Sequence, residues 1–430
     1  MDQSLKKIVV VGGGFAGINL VMPLQKKCRF DITLVDKNNY NFFPPLLYQV
    51  ATGFLEPSSI SYPFRRFLRS KCHVHFQMGD LIKVMSQENK ILLSTGELYY
   101  DYLVIATGAE SNFFGMENVK RNAIPMKTMR DALYMRNTLL SRLEEASRTS
   151  DMERRKKLVT IVVAGAGPTG VELSGMFAEM RKNIILKDYP ELAGTNVGAI
   201  YLVDAANAVL GPMSEKAQKY SYDTLKKMGV IIKSGVAVND FKDNIVSLSD
   251  GTSLTTSNLI WTAGITSRIF EGIPPGVYGR GRRMQADAVN RIIGFDNIFA
   301  LGDTCIQTTD PGFPNGHPQL AQVAIQQARN LARNFLVSAT PDKRWKPFRY
   351  NDKGAMAIIG RYKAVADLTM PKLFFDGIIA WFIWLFIHIV SLLSFHNKLR
   401  TLSNWMVAYF TRDQHYRMML KPEDRHAGEE

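Results

Sequence analysis

At 430 residues the chain is longer than one hydrophobic core usually serves, so two or three domains are expected. A composition 46% hydrophobic and 21% charged excludes a disordered chain, and a net charge of +14 favours anionic partners such as phosphate-bearing cofactors, acidic lipid or nucleic acid. No recognised nucleic-acid module is present, and the denser basic pieces at Arg65–Lys71, Arg154–Lys157 and Arg280–Arg283 read as solvated faces. The three cysteines, Cys28, Cys72 and Cys305, have neither redox nor zinc spacing. No disulfide framework and no metal site are expected, and a reducing compartment is. The N-terminus runs almost directly into a strand, so no export or organelle signal is expected.

The first element is Ile8-Val9-Val10-Val11, a β-branched run that reads as a buried parallel strand. Gly12-x-Gly14-x-x-Gly17 follows and opens a helix, in which Pro23 should cause a kink or an early end. The next strand ends in Asp36-Lys37, about 20 residues after Gly17, where an acid accepts from ribose hydroxyls. Gly12 permits the tight turn, Gly14 lets backbone approach a pyrophosphate, and Gly17 allows close packing of helix on strand. The pyrophosphate then rests on the helix N-terminus, where N–H groups and the helix dipole favour an anion. Turn signals near Asn89 and Gly96 mark hairpin strands, and the unit closes with a strand ending in Thr107-Gly108.

The same pattern recurs. Thr160-Ile-Val-Val-Ala164 leads into Gly165-x-Gly167-x-x-Gly170, the next strand ends in Asp204, hairpin strands turn at Asn244 and Asp250-Gly251, and a strand ends in Ala263-Gly264. Asp204 bonds a ribose 2′-hydroxyl and repels a 2′-phosphate, and no Arg follows it, so NADH is favoured over NADPH. A third strand ends in Gly302-Asp303, the signature that holds the ribityl and phosphate end of a flavin, and a helix is expected from about Pro318 to Leu336. Two nucleotides in one chain imply hydride traffic. The first unit is therefore assigned to FAD and the second to NADH.

Three further stretches carry a family resemblance: Asp36-Lys-Asn-Asn-Tyr-Asn-Phe-Phe-Pro-Pro-Leu-Leu-Tyr-Gln-Val-Ala-Thr-Gly53, Gly165-Ala-Gly-Pro-Thr-Gly-Val-Glu172 and Ala321-Gln-Val-Ala-Ile-Gln-Gln327. The chain resembles the type II NADH:quinone dehydrogenases, single-subunit flavoenzymes that do not pump protons. The resemblance spans nearly the whole chain. It implies an α/β fold of two dinucleotide-binding (Rossmann-like) domains with hairpin insertions and a C-terminal membrane-anchoring helical region. Residues 1–115 and 290–340 would form a discontinuous FAD domain, 116–289 the NADH domain and 341–430 the anchor. It also implies a carboxylate role for Glu172 near flavin and quinone, and a quinone-side role for Gln322 and Gln326, which lie four apart on one helical face. Taken without the family, Gln322 and Gln326 read as solvated helix residues and Glu172 as a helix acid. Pro44 to Gln49 is expected along the flavin, or else as a buried loop packing its own apolar residues. His317 reads as structural. Asp204 stands where the family often has Glu.

Residues 377–395, GIIAWFIWLFIHIVSLLSF, meet the length rule for a spanning helix. The amphipathic stretch after them, with Leu399, Leu402, Met406 and Phe410 against Lys398, Arg400, Arg412 and Arg417, favours helices lying in the interface instead. A homodimer interface is the third reading. The expected partners are NADH, a membrane quinone and the lipid surface, with the protein monotopic on the cytoplasmic face of a bacterial inner membrane. The alternatives are a flavin- and NADH-binding redox sensor of the same fold, or a related reductase with another acceptor. Disulfide and sulfide chemistry both need a cysteine pair beside the flavin, and none lies between Cys72 and Cys305.

Overall fold

A computed structural model describes residues 5–192, 198–337, 345–411 and 416–419. They form two compact units, each assembled from three stretches of chain. The first comprises residues 1–42, 61–110 and 265–352, and the second 43–60, 111–264 and 353–430.

The first unit is built on a parallel five-stranded sheet in the order Ile298–Ala300, Tyr102–Ile105, Lys6–Val11, Phe30–Asp36, Val74–Met78. Ile8 to Val11 are all buried, as a parallel strand covered on both faces requires. The helix Phe15–Gln25 contains Pro23 and ends two residues after it. A meander of Leu81–Met85, Lys90–Leu93 and Gly96–Tyr99 provides the expected hairpins. Its turns use Asn89 at φ 47° and Gly96 at φ 120°. In this unit Cys28 and Cys72 are joined by a disulfide, contrary to the expectation from spacing. Each cysteine lies just before one of two strands that pair side by side, Ile32 opposite Val74, so the sheet brings together residues far apart in sequence.

The second unit repeats the plan, with the parallel order Ile124–Pro125, Asn258–Trp261, Ile161–Ala164, Ile200–Asp204, Val230–Ser234. A meander of Val238–Lys242, Ile245–Leu248 and Ser253–Thr255 again supplies the hairpins. The helix Pro168–Met180 continues through a wider turn at Arg181–Ile185. Short helical turns at Leu186–Asp188 and Pro190–Leu192 follow, and residues 193–197 lie outside the described residues.

The units divide the chain at other places than the sequence-drawn domain limits. Residues 43–60 belong with the second unit and 265–289 with the first. The C-terminal region is not helical throughout: the antiparallel strands Ala355–Gly360, Lys363–Thr369 and Lys372–Asp376 precede its helices and belong to the second unit. Packing explains this. A Cβ on Gly175 of the helix Pro168–Met180 would lie 1.7 Å from the Ile359 carbonyl oxygen, so a glycine there lets the strand run directly against the helix. The apolar segment 377–395, long enough by sequence to span a membrane, forms only the helix Gly377–Ser391, and the amphipathic stretch after it forms Phe395–Thr411. No helix among the described residues is long and apolar enough to cross a membrane. Arg412 of the expected basic face and the limit at 341 lie outside the described residues.

Candidate dinucleotide and quinone sites

In the first unit three glycines of one loop answer three different demands. Gly12 has φ +109°, and a Cβ there would lie 2.3 Å from the Ala106 carbonyl oxygen. A Cβ on Gly17 would lie 1.9 Å from the Gly12 carbonyl oxygen, so this glycine protects the loop's own turn as well as the packing of the helix. Gly14 has nothing within 4 Å of its Cβ position. It is the N-cap of Phe15–Gln25 and offers no side-chain cap, so the open side of the loop presents backbone at a helix N-terminus. Asp36 is held against that loop: its carboxylate accepts from the Gly13 amide at 2.7 Å and the Asn38 amide at 2.8 Å. Burial raises its pKa above the ordinary carboxylate range, the two amides and the exposed Lys37 opposing the shift.

Thr107 and Gly108, the latter at φ +71°, follow the strand whose end abuts Gly12. Gly302, also at φ +71°, lets the helix Ala321–Val337 approach to 3.1 Å between its Cβ position and that of Ala324. The Asp303 carbonyl accepts from Ser267 Oγ and Gln319 Nε2, each at 2.9 Å. The residue that sequence reading missed here is Gln327. Buried at 1% exposure, its Oε1 accepts from the Gly302 amide at 2.7 Å and ties the helix to the Gly-Asp turn. Its neighbour Gln326, expected on the quinone side, is a clamp: Nε2 donates to the Asn351 carbonyl at 2.8 Å and Oε1 accepts from the Asn351 amide at 3.0 Å. Gln322 is half-buried on the same helix. His317 is structural, as expected, bonding Asp310 at 3.0 Å in a buried aromatic nest.

The second unit repeats the plan of the loop. Gly165 has φ +105° and its Cβ position lies 2.7 Å from the Ala263 nitrogen; that of Gly170 lies 1.8 Å from the Gly165 carbonyl oxygen; Gly167 faces open space. Asp204 accepts from the Ala166 amide and, at 2.7 Å, from the Ala206 amide. Gly264, at φ +75°, lies beside the Phe114 ring. Each loop thus has a strained turn, an open glycine at a helix start and an acid on a loop amide, which suits a dinucleotide pyrophosphate and its ribose. Both sets, Gly12, Gly14, Gly17 and Asp36 in the first unit and Gly165, Gly167, Gly170 and Asp204 in the second, fit a dinucleotide.

The same unit holds Glu172, one turn into the helix that the second loop opens and only 7% exposed. Burial holds its carboxyl well above the usual range, against a hydrogen bond to the Ile358 backbone. Tyr48 is pushed upward too, first by burial and then by the Glu172 charge. The segment Pro44 to Gln49 packs into this unit. Gln49 donates to the Tyr48 hydroxyl at 2.9 Å and accepts from Trp405 Nε1 at 2.8 Å, which staples the segment to the helix Phe395–Thr411. Trp384 and Trp405 are buried nearby, their rings 5.7 Å apart. In sequence, Trp384 and His388 sit within the apolar run 377–395 and Trp405 in the stretch after it; their inward spacing on two short helices is the available signal.

Two dinucleotide loops, each with its acid, and a Gly-Asp turn clamped by a helix define the two-nucleotide flavoprotein oxidoreductases. Residues 6–328 match the family described as pyridine nucleotide-disulphide oxidoreductase, and residues 353–413 match the NDH2 C-terminal domain. The chain is 36% identical over 420 residues to type II NADH:quinone oxidoreductase Ndh of Mycobacterium tuberculosis, covering 94% of this chain and 88% of that one. It is 28% identical over 439 residues to an internal alternative NAD(P)H-ubiquinone oxidoreductase of Arabidopsis thaliana, covering 95% and 85%. Its fold matches the structure of Plasmodium falciparum NDH2 in complex with NADH at a TM-score of 0.87 and 22% identity, covering 97% of this chain and all of that one. The chain belongs to the type II NADH:quinone oxidoreductases.

Proposed function

We propose that this chain is a non-electrogenic NADH:quinone oxidoreductase, in which the first unit holds FAD, the second admits NADH, and a membrane quinone receives the electrons. The observation that carries the reading is the duplicated loop, open at Gly14 and at Gly167 and backed by an acid in each copy. Bound FAD supplies the ring that accepts a hydride and passes electrons on in pairs. The chain's own work is to position the two nucleotides and to manage protons. Asp204 selects the 2′-hydroxyl of NADH.

Glu172 is the proton donor to the reduced quinone. A carboxyl held protonated by burial can release a proton as charge develops on a quinone oxygen and regain one from water. Gln322 is the amide that bonds a quinone carbonyl, neutral at every working pH, and Gln326 serves by holding its helix to Asn351. The protein lies on the membrane through its last two helices. Phe382, Phe386 and Val390 on one, and Phe395, Leu399, Leu402, Met406 and Phe410 on the other, are exposed apolar residues in a row. The first helix has 15 residues, a length of about 22 Å against a hydrocarbon core of about 30 Å. The cytoplasmic face of a bacterial inner membrane is where NADH is available and where an anionic lipid surface meets the +14 charge.

The test separates the two half-reactions by stopped flow. In Glu172→Gln, reduction of the flavin by NADH should proceed as in the wild type while reoxidation by a soluble quinone slows. The sign of the pH effect follows from the raised pKa. The wild-type reoxidation rate is full while Glu172 is protonated and falls as pH rises through its folded pKa, and the variant loses that dependence. Gln322→Leu should raise the quinone KM. If both variants slow the NADH step and spare reoxidation, the quinone assignment is overturned. A reduced complex that persists with quinone present would instead mark a sensor.

A further inference from the structure

One imidazole in the second unit is given no role by the reading above. His388 lies on the helix Gly377–Ser391, its ring stacked on Trp384 with centroids 3.8 Å apart and planes 20° apart. Phe43 meets it edge-on at 6.0 Å. These contacts fix the plane of the ring. A hydrogen bond fixes its tautomer: Nδ1 lies 2.8 Å from the Trp384 carbonyl oxygen, and a carbonyl only accepts, so Nδ1 carries the hydrogen. Burial pushes the imidazole down to about 4, the Trp384 carbonyl opposing. The ring is therefore neutral at working pH, and Nε2 bears a bare lone pair. Nε2 makes no hydrogen bond among the described residues and is not among their sealed polar atoms. Its neighbours along the helix, Phe386, Ile387 and Val390, are exposed and apolar. A fixed acceptor thus stands at the edge of an apolar surface where water is a poor competitor.

The two redox states of a quinone differ in the property this atom reads. The oxidised ring offers carbonyl oxygens, which only accept, and the reduced ring offers hydroxyls, which donate. An acceptor facing an acceptor gains nothing and loses solvation; facing a donor it gains a hydrogen bond worth about 1 kcal/mol net. The geometry points to His388 Nε2 as a quinol-selective contact, which accepts from a hydroxyl of the reduced quinone and gives the oxidised quinone no partner. The inference rests on the quinone reading above and adds a product-binding residue to it. The contact forms only after the electrons and protons have arrived. It draws the product toward the exposed apolar side of the helix, where a lipid-soluble molecule leaves.

The experiment is product inhibition, measured with a soluble quinol against the matching quinone. His388→Phe keeps the stacked ring and removes the acceptor. The ratio of the quinol inhibition constant to the quinone KM should rise about fivefold, the loss of one such bond. His388→Gln places an amide oxygen near the position of Nε2 and should restore much of the ratio. The same loss in both variants would mean that the ring only packs, and an unchanged ratio in His388→Phe would overturn the contact. On the wild-type protein, a quinol with both hydroxyls methylated should inhibit more weakly than the free quinol, and equal inhibition would also overturn it, whether or not a variant folds. The failures are distinguishable: absence of NADH turnover with quinone in the wild type defeats the proposed function, whereas turnover with unchanged product inhibition defeats this contact alone.

Discussion

The two glycine loops are nearly superimposable in their local logic and differ in what stands behind them. In the first unit, the helix Phe15–Gln25 is backed by Ala321–Val337, and Gln327 of that helix reaches the Gly302 amide. A turn far along the chain is thereby locked to this helix pair. In the second unit, the helix Pro168–Met180 is backed by the strand Ala355–Gly360 and by the short helix Leu47–Ala51. Among the described residues no clamp like that of Gln327 ties down its loop, and its helix carries the buried acid Glu172. The loop decides that a pyrophosphate binds. Under the proposed function, the backing is what separates a retained flavin from an exchanging nucleotide.

The largest expected effect comes from closing the open glycine of each loop. Gly14→Val and Gly167→Val add side chains where the folded protein has space, so both variants should fold. The first should purify without flavin. The second should keep its flavin and lose kcat/KM for NADH on the order of 100-fold, as a nucleotide displaced by about 1 Å would. The visible spectrum and steady-state kinetics decide this. A yellow Gly14→Val protein would reverse the assignment of the two units.

A smaller effect tests the acids. Asp204→Asn should raise the NADPH-to-NADH ratio of kcat/KM roughly tenfold, because repulsion of the 2′-phosphate is lost. The same change at Asp36 should leave that ratio alone and weaken flavin retention. Equal ratios in both variants would erase the distinction between the loops.

The smallest effect tests the clamp. Gln327→Leu leaves the Gly302 amide without its acceptor, at a cost of about 1–3 kcal/mol. Denaturant unfolding should show that loss, and flavin should dissociate faster while the NADH KM is unaffected. If flavin retention is unchanged, the backing helix does not distinguish the units.

Much of this molecule is written locally. A β-branched run followed by Gly-x-Gly-x-x-Gly and a distant acid specifies strand, turn, helix and ligand type, because Gly12 and Gly165 need positive φ and Gly17 and Gly170 tolerate no side chain. The meander turns at Asn89, Gly96, Asn244 and Gly251 were legible for the same reason, all four having positive φ. Tertiary structure decided the rest. The Cys28–Cys72 bond arises because two strands pair, and spacing carries no trace of that. Gln326 and Gln327 look alike in sequence, yet one clamps Asn351 and the other Gly302, since a difference of about 100° around a helix turns neighbours to different faces. The strands between Ala355 and Asp376 escaped notice beside the apolar run that follows them. That run and the stretch after it fold into two short helices whose tryptophans point inward and whose phenylalanines point out. Composition alone would let the run span a membrane; in the fold its helix ends at Ser391 with Trp384 buried, and the next helix buries Trp405.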